Sequence, residues 1–421
     1  MLNKRLIFFI EPVAYVIFFL LTIRRIIGDT FYSLEQQAFE KTIHEMVLWV
    51  LITGLFFWIA HSKSIFHKML AAWKKNWFVL IFILLALCSI VWSSNKDASI
   101  YKGISLIGCS AIAAYTGLAY SNKNLFRGLW WFFVILSIAS FTLGVFVPTI
   151  GTHIGYPYFG AWRGIFWSKN YMGPILAIGN LVFLFNIVLS RKKILLLLTN
   201  ILFYLLTALL VILSKCASAM IIFAILNLGF LLVLAWLKWK GSLKKTHYLV
   251  GAIVAIFLIV LIILNLNFFF GLVGRDSTLT GRYPLWSFLI HTGWANHPIV
   301  GNGFGATWET NNFRYATEIA VGWKLPPLVS DNGYIDIFLD LGLVGIILSI
   351  GMILVSLYRV IRHAFKEQNL TSFFPLFLVT FVIIVNIDLS FFLNLETFAW
   401  FLMIFALFST TPLPNLEPAK S

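Results

Sequence analysis

Long apolar runs, separated by shorter polar segments, recur along the whole chain. Each run spans about 17–25 residues, which is enough for a helix to cross roughly 30 Å of hydrocarbon. Because backbone groups in lipid must form their hydrogen bonds internally, the runs predict transmembrane helices and an all-α, polytopic membrane protein. About twelve spans are predicted, at residues 6–23, 44–60, 77–93, 102–120, 128–149, 171–190, 194–213, 217–237, 248–270, 333–357, 372–389 and 391–410.

One long segment interrupts this pattern. Residues 271–332 form a loop of about sixty residues between predicted spans. Ordering such a loop costs conformational entropy, so long loops inside compact folds are usually functional or disordered. The spaced glycines and tryptophans of this loop are not typical of a disordered segment. We therefore interpret 1–421 as a single integral membrane domain, and the 271–332 loop as the part that carries the chemistry.

The distribution of basic residues predicts the orientation of the chain. Lysines and arginines are concentrated in alternate connecting segments, and the positive-inside rule assigns these segments and both termini to the cytoplasm. The 271–332 loop then lies outside, where neither ATP nor a nucleotide sugar is available. Any transfer reaction there requires an activated donor that has already crossed the membrane. The basic residues in the segments assigned to the cytoplasm are Lys4, Arg5, Lys63, Lys68, Lys74, Lys75, Lys123, Arg127, Arg191, Lys192, Lys193, Lys238, Lys240, Lys244, Lys245, Arg359, Arg362, Lys366 and Lys420.

Composition narrows the functional class. Hydrophobic residues make up 60% of the chain and charged residues 11%, with a mean hydropathy of +0.92, which excludes an ordinary soluble domain. Membrane topology and contact with anionic lipid account for the net charge of +15. No soluble basic domain is available to bind nucleic acid, so we expect no such partner. Histidine and carboxylate spacings form no metal site, so we predict a reaction without metal or cofactor.

A few cations depart from the orientation rule. Arg163, Lys169, Lys215 and Arg282 all lie near the predicted outer ends of spans. Each by itself is consistent with a simple interfacial anchor. As a group at one depth they suit a pyrophosphate, because guanidinium groups bind phosphate oxygens bidentately and ammonium groups add charge. We therefore predict that these four residues bind a pyrophosphate.

The long loop also contains two local signals. The segment from Arg282 to about Trp294 predicts a short interfacial helix, with Thr280 as its N-cap and Pro284 in its first turn. The start of such a helix directs N–H groups at an anion beside Arg282. The glycine-rich turn Gly301–Gly305 is compatible with phosphate contact, but most such turns are only turns, and no Gly-Lys-Ser/Thr follows it.

Transfer to a hydroxyl group requires a base for the acceptor and cations for the departing phosphate. Asp331 and Asp336 stand out among the outer carboxylates because the chain re-enters the membrane there. Asp336 and Asp340 share a helix face, which is costly in lipid unless they face a polar cavity or a partner. A structural pairing of Asp336 with an arginine of the loop is the competing interpretation. Asp388 is a further carboxylate at the predicted outer boundary.

In the order and spacing of these motifs the chain resembles the O-antigen ligase/polymerase superfamily, particularly its exopolysaccharide-polymerase-like branch. The resemblance covers roughly residues 100–410. It rests on Trp162–Phe166 with Lys169 and Asn170, Ser214 with Lys215, Thr280–Arg282, His297–Gly305, and Asp331–Tyr334 followed by Leu341–Gly345.

This resemblance implies a GT-C-like glycosyltransferase in the bacterial cytoplasmic (inner) membrane. The donor would be a glycan on undecaprenyl pyrophosphate, and the acceptor either another lipid-linked repeat unit, for a polymerase, or lipid A-core, for a ligase. Membrane lipids and a chain-length regulator are the further partners. By the motif match, Arg163 and Arg282 hold the pyrophosphate, and Lys215 stands where the family often has a basic residue.

One position departs from the family pattern. Ligases have a histidine, a candidate base, where this chain has Asp331. A carboxylate can take that role if apolar surroundings raise its pKa, but the change favours a polymerase over a ligase. We expect Asp331 and Arg282 to be catalytic. The tryptophans expected to stack on sugar rings are Trp286, Trp294, Trp308 and Trp323.

A transporter of the same lipid-linked oligosaccharide is the rival interpretation, because many spans and basic residues in the membrane region suit it. The long outer loop argues against it, as does the absence of a convincing repeat between residues 1–210 and 211–421.

Overall fold

The computed structural model describes most of the chain as helices. Within the described ranges the one β-bridge is antiparallel and joins Thr152 and Trp162. The predicted span 248–270 and residues 271–281 of the long loop lie outside these ranges. The structure describes residues 10–22, 38–119, 122–239, 241, 282–322, 327, 329–391 and 397–412, apart from Pro12, Val16, Leu20, Ser64, Tyr156 and Pro157.

Fourteen helices with clear bounds follow one another in the described ranges, and we number them in chain order. Short 3-10 helices occur at Ser89–Val91, Thr307–Glu309 and Leu370–Phe373. The α-helices are α1 (Ala38–Ser62), α2 (Phe66–Lys75), α3 (Trp77–Cys88), α4 (Lys96–Ala119), α5 (Asn122–Phe146), α6 (Pro148–Gly151), α7 (Lys169–Leu189), α8 (Ile194–Leu213), α9 (Ala217–Trp239), α10 (Arg282–Asn296), α11 (Asn311–Val321), α12 (Gly333–Glu367), α13 (Phe374–Asp388) and α14 (Thr397–Ser409).

Seven helices in the described ranges are long and apolar enough to cross a membrane. The bent pair formed by α1 and α2 raises the number to eight if it counts as one span. Two predicted spans, 77–93 and 391–410, are present as shorter apolar helices. The expectation of an all-helical, polytopic membrane protein is confirmed, whereas twelve spans and a GT-C-like arrangement stay predictions.

Helix α14 lies at the centre of the bundle. All its residues from Phe398 to Leu407 are 0% exposed. The Trp400 indole donates a hydrogen bond to Ser110 of α4 at 2.7 Å. Gly117 of α4 lets the two helices approach closely, because a Cβ there would lie 2.9 Å from the Ser409 nitrogen. A helix that is apolar on every side is stable when other helices surround it, as they do here.

Helix α12 is broken at Gly342, whose backbone angles are φ 65° and ψ −160°. The segment that includes the glycine-rich turn runs along the break and pairs with the backbone groups on both sides of it. Such pairing is what makes a broken helix tolerable inside a membrane protein. The hydrogen bonds are Asn302 N–H to Leu339 O (2.9 Å), Gly303 N–H to Asp340 O (2.9 Å), Leu343 N–H to Pro298 O (2.8 Å) and Val344 N–H to Ile299 O (3.1 Å).

The two ends of the bundle gather residues that the sequence assigns to opposite membrane faces. At one end, Arg359 donates to the Lys75 carbonyl at 3.1 Å, and Lys75 donates to the Pro412 carbonyl. At the other end, the Ser94 amide donates to the Asn302 carbonyl at 2.8 Å. Which membrane face each end meets stays a prediction.

Candidate functional site

Arg282 is a buried arginine bound by two carboxylates. It is the first residue of α10 and is 6% exposed. Its Nε donates to Asp331 Oδ2 at 3.1 Å, and its Nη2 lies 3.0 Å from the same oxygen. Its Nη1 donates to Oδ1 of Asp388, the last residue of α13. With both carboxylates ionised, the three side chains carry one net negative charge. The positive charge of Arg282 is therefore already compensated within the site.

Asp388 connects this arginine to another part of the bundle. Its second oxygen, Oδ2, accepts a hydrogen bond from Ser218 Oγ. Ser218 lies in the first turn of α9, three residues after Lys215. We call Arg282, Asp331, Asp388 and Ser218 the Arg282 network. The sequence indicated Asp388 only as one carboxylate at the predicted outer end of a span. Its pairing with Arg282 could not be predicted, because the two residues lie on segments that are far apart in the chain.

Lys215 occupies a tight turn between α8 and α9. It has a positive φ of 49°, which is uncommon for a residue other than glycine. Lys169 reaches across and donates from Nζ to the Lys215 carbonyl at 3.0 Å. The Lys215 ammonium is exposed, and Nζ lies 3.6 Å from the position of a Cβ on Gly160. Among the described residues this ammonium forms no hydrogen bond or ion pair, so it is available to an anion.

Arg163 lies in the segment between α6 and α7 and binds backbone carbonyls. Nε donates to Ile150 at 2.8 Å, Nη1 to Trp167 at 3.3 Å and Nη2 to Thr149 at 3.5 Å. In the described part of the chain it has no carboxylate partner, so its positive charge is not compensated there. Burial lowers the pKa of Arg163, which still leaves a guanidinium charged at neutral pH.

His153, which the sequence analysis did not single out, lies beside these cations. Its Nε2 accepts a hydrogen bond from the Lys169 backbone N–H at 3.1 Å. Burial, followed by the charges of Arg163 and Lys169, lowers the pKa of His153 to about 4. The imidazole is therefore neutral near pH 7. Burial is the larger cause of this low pKa, and the two neighbouring cations lower it further.

The four predicted pyrophosphate-binding residues lie on segments that contact one another. We call Arg163, Lys169 and Lys215 the cation cluster. The segment of Arg163 is joined to the Lys215 turn by the Trp162 N–H, which donates to the Leu213 carbonyl at 3.0 Å. That turn leads into Ser218 and so into the Arg282 network. The structure therefore brings the segments of all four residues together, but it gives Arg282 two aspartates as partners.

Asp331 has an unusual backbone conformation and an environment suited to a base. Its φ is 55°, in the left-handed region. The next residue, Asn332, caps α12, because its Oδ1 accepts from the Tyr334 N–H at 3.0 Å. Burial raises the pKa of Asp331; Arg282 opposes this shift, and the negative charge of Asp388 adds to it. A carboxyl group with a raised pKa is a better proton acceptor near neutral pH.

The glycine-rich turn binds an anion, but that anion belongs to the chain. Gly305 N–H donates to Asp340 Oδ2 at 2.8 Å, and Thr307 donates to Oδ1 from its backbone (3.3 Å) and its hydroxyl (2.7 Å). Lys102 donates to the Gly305 carbonyl at 2.9 Å. The Phe304 N–H donates to a serine hydroxyl of the 3-10 helix Ser89–Val91. These amides are engaged internally, so we do not assign the turn to phosphate binding.

The expectation that Trp308 stacks on a sugar ring needs correction. Its side chain is 4% exposed and packs with Leu285 and Leu289 of α10. Its indole N–H donates to Asp336 Oδ1 at 2.8 Å. A ring enclosed on both faces offers no surface to a sugar. Asp336 and Asp340 thus both face the 301–309 loop, which satisfies the requirement that acidic groups on a membrane helix have partners.

The other three tryptophans differ in their environment. Trp286 is half-buried, and its indole N–H donates to the Ser330 carbonyl at 2.8 Å. Trp294, on the same helix, is 54% exposed, which leaves its ring accessible to a glycan. Its contact with a glycan stays a prediction. Trp323 lies outside the described residues. Helix α10 itself confirms the short helix expected from Arg282 to about Trp294, while its proposed N-cap, Thr280, also lies outside the described residues.

No group of three or more histidine, cysteine, aspartate or glutamate side chains in the described ranges is arranged to hold a metal ion. Metal independence stays a prediction.

One part of the chain is similar to a known protein family. The family model Wzy_C, described as O-antigen ligase, matches residues 201–350. The match includes Lys215, Ser218, Arg282 and Asp331, and it ends before Asp388. No curated protein matches the chain. Residues 201–350 are therefore similar to the O-antigen ligase family, and this match supports the resemblance of the chain to the O-antigen ligase/polymerase superfamily.

Proposed function

We propose that the chain is a polymerase of undecaprenyl-pyrophosphate-linked oligosaccharide repeat units, of O-antigen or exopolysaccharide, at the outer face of the cytoplasmic membrane. The observation that carries this proposal is the cation cluster next to the Arg282 network, at one end of an apolar helical bundle. The family match supports a role in the assembly of O-antigen or a related polysaccharide.

The cation cluster binds the pyrophosphate of the donor. Arg163 and Lys215 have positive charge that no carboxylate of the described residues compensates. Lys169 joins the two segments on which they lie. Fixed cations stabilise the charge that develops on the pyrophosphate as it leaves. Because the pyrophosphate is then a good leaving group, the reaction needs neither metal nor nucleotide.

Asp331 is the base in this mechanism. The acceptor hydroxyl oxygen forms a bond to the anomeric carbon of the donor glycan, and the bond from that carbon to the pyrophosphate oxygen breaks. The electron pair leaves with the pyrophosphate, and the hydroxyl proton passes to Asp331. Burial, which raises the pKa of Asp331, makes this carboxylate a suitable acceptor.

Arg282 couples the two halves of the reaction. Before transfer its charge is compensated by Asp331 and Asp388. When Asp331 takes up the proton, one of these negative charges disappears. The Arg282 charge is then less compensated at the stage when the pyrophosphate departs, and it stabilises that leaving group. In this way one arginine serves both the base and the pyrophosphate.

Ligase activity is the second candidate, because the matching family model is described as O-antigen ligase. In that case the acceptor hydroxyl belongs to lipid A-core. The donor site and the role of Asp331 are the same, so only the acceptor distinguishes the two reactions.

The test uses purified protein in liposomes with a synthetic undecaprenyl-pyrophosphate oligosaccharide, a chelator and no nucleotide. A ladder of longer lipid-linked glycans is the expected result. Transfer that occurs only after lipid A-core is added establishes the ligase instead. Movement of the lipid across the bilayer without a new glycosidic bond overturns both proposals in favour of a transporter. Lys215→Ala should reduce product, and Lys74→Ala, which removes an exposed lysine at the opposite end of the bundle, is its matched control.

A further inference from the structure

Ser330, the residue before Asp331, is held at every polar group it has. It is 0% exposed. Its N–H donates to Asp336 Oδ1 at 3.2 Å, and its carbonyl accepts from the Trp286 indole at 2.8 Å. Its hydroxyl donates to the Asn332 carbonyl at 2.7 Å and accepts from the Asn332 N–H at 3.0 Å. The peptide that leads into Asp331 is therefore bound from both sides.

Trp308 takes part in the same arrangement through Asp336. The oxygen of Asp336 that accepts from Ser330 also accepts from the Trp308 indole at 2.8 Å. Trp308 is itself fixed, because the adjacent Thr307 is bound to Asp340, one turn further along α12. A buried indole N–H normally requires an acceptor, and a carboxylate is a strong one. The 301–309 loop is thereby connected to the Ser330 peptide.

The start of α12 does not need these contacts. Asn332 already caps the helix, with Oδ1 accepting from the N–H groups of Tyr334 and Ile335 at 3.0 and 3.2 Å. Its side-chain amide also donates to the Ile387 carbonyl at 2.9 Å, which joins the helix start to α13. The contacts to Ser330 therefore restrain the residues before the cap. What they restrain directly is Asp331, whose left-handed conformation is uncommon among residues other than glycine.

We propose that Trp286, Trp308 and Asp336 are positioning residues that fix the Ser330 peptide and so hold Asp331 against Arg282. This inference rests on the proposed function, because it takes Asp331 as the group that touches the acceptor. It gives two of the tryptophans expected to bind sugar a different role. They act on the reaction through Asp331, by hydrogen bonds from their indole nitrogens.

The test replaces each indole by a ring without an N–H, in Trp286→Phe and Trp308→Phe. We expect kcat to fall roughly 10- to 100-fold, since displacement of a reacting group by about 1 Å has effects of this size. The KM for the lipid-linked donor should stay unchanged, because the cation cluster, which binds the pyrophosphate, is not altered. Trp77→Phe is the control, because it changes an exposed tryptophan at the start of α3, outside the proposed site.

The pH–rate profile separates positioning from a general loss of structure. The charged groups that face Asp331 are Arg282, Asp388 and Asp336. Of these, only Arg282 favours the ionised carboxylate. If Asp331 moves away from Arg282, its pKa rises, and the acidic limb of the profile should shift to higher pH. A variant that only contains less folded protein has a lower rate but an unchanged profile.

A second pair of variants keeps the test informative if a tryptophan replacement does not fold. Asp336→Asn retains an acceptor oxygen for Ser330 and Trp308, whereas Asp336→Leu has a similar volume and no acceptor. We expect Asp336→Asn to retain most of the wild-type kcat and Asp336→Leu to lose at least tenfold. Thermal unfolding in detergent, recorded for every variant, gives the folded fraction by which each rate is corrected.

Some results overturn the inference. Wild-type kcat and pH profile in both tryptophan variants, or equal rates in the two Asp336 variants, would show that the contacts do not position Asp331. A raised donor KM with unchanged kcat would mean that the tryptophans contact the substrate. Asp331→Asn separates this inference from the proposed function. If Asp331→Asn is active, the assignment of the base fails; if it is inactive while the tryptophan variants are normal, only the positioning role fails.

Discussion

Arg282 and Asp388 form a partly buried ion pair although they are 106 residues apart in the chain. The arginine begins α10 and the aspartate ends α13, so the pair joins the 271–332 segment to the helical bundle. Asp331 shares the same guanidinium, and Ser218 binds the other oxygen of Asp388. The pair therefore connects the proposed base to the segment that carries the cation cluster.

This pair predicts that Asp388 is required for activity. Asp388→Asn keeps the shape of the side chain but removes one of the two charges that hold Arg282. We expect the rate of glycan transfer to fall at least about tenfold, in line with the strength of charge-assisted hydrogen bonds. The rate of ladder formation in liposomes measures it. Asp97→Asn is the control, since Asp97 is an exposed aspartate in the first turn of α4. Equal rates in both variants contradict the assignment.

The cation cluster predicts a defect in donor binding. Lys215→Ala and Arg163→Ala each remove a positive charge that the described carboxylates do not compensate. A hydrogen bond to a charged group contributes about 1.5–3 kcal/mol, so kcat/KM for the donor should fall roughly 10- to 100-fold. Steady-state kinetics with varied donor tests this, with Lys74→Ala as the control. An unchanged kcat/KM would mean that these cations are interfacial anchors.

His153 predicts a response to pyrophosphate that can be observed directly. Its pKa of about 4 results from burial and from the charges of Arg163 and Lys169. An anion on the cation cluster offsets those charges, so inorganic pyrophosphate should raise the His153 pKa toward its ordinary value and cause proton uptake between pH 4 and 6.5. NMR of labelled histidine in nanodiscs follows the titration. A titration that pyrophosphate does not change argues against an anion site there.

The same lowered pKa determines how His153 affects stability. The unfolded chain binds a proton at a higher pH than the folded one, so protonation favours unfolding. The contribution of neutral His153 to the free energy of unfolding is therefore fully present above the ordinary pKa of histidine, and it is lost as the pH falls toward 4. Thermal unfolding of wild type and His153→Gln should show a difference that depends on pH in this window. Parallel curves for the two proteins would contradict the shift.

The break in α12 predicts that two glycines of one helix respond in opposite ways. Gly342 has a positive φ, and a Cβ there would lie 2.3 Å from the Ile299 carbonyl carbon. Gly342→Ala should therefore destabilise the protein by about 1–3 kcal/mol or more. At Gly351 nothing lies within 4 Å, so Gly351→Ala should be neutral or stabilising. Unfolding temperatures in detergent compare the two. If the Gly342→Ala protein is as stable as wild type, the close approach of Ile299 to the helix break at Gly342 is contradicted.

Much of the helical architecture follows from sequence alone. The predicted span 194–213 coincides with α8, and the predicted span 217–237 differs from α9 only at its end. The short helix from Arg282 was also predicted. These features are local, because a long apolar run in lipid has to satisfy its own backbone hydrogen bonds and a helix does so within the run. The motifs likewise pointed to the superfamily that the family match supports.

The tertiary structure alone decided which side chains meet. The partners of Arg282, the burial of Trp308 and the carboxylate of Asp340 in the glycine-rich turn depend on segments 28 to 106 residues apart. Hydrophobic periodicity reports which face of an element is apolar, and it contains no information on which distant segment covers that face. A charged or aromatic residue at the outer boundary is equally compatible with ligand binding and with internal pairing. Only the packed arrangement distinguishes them, because the partner comes from elsewhere in the chain.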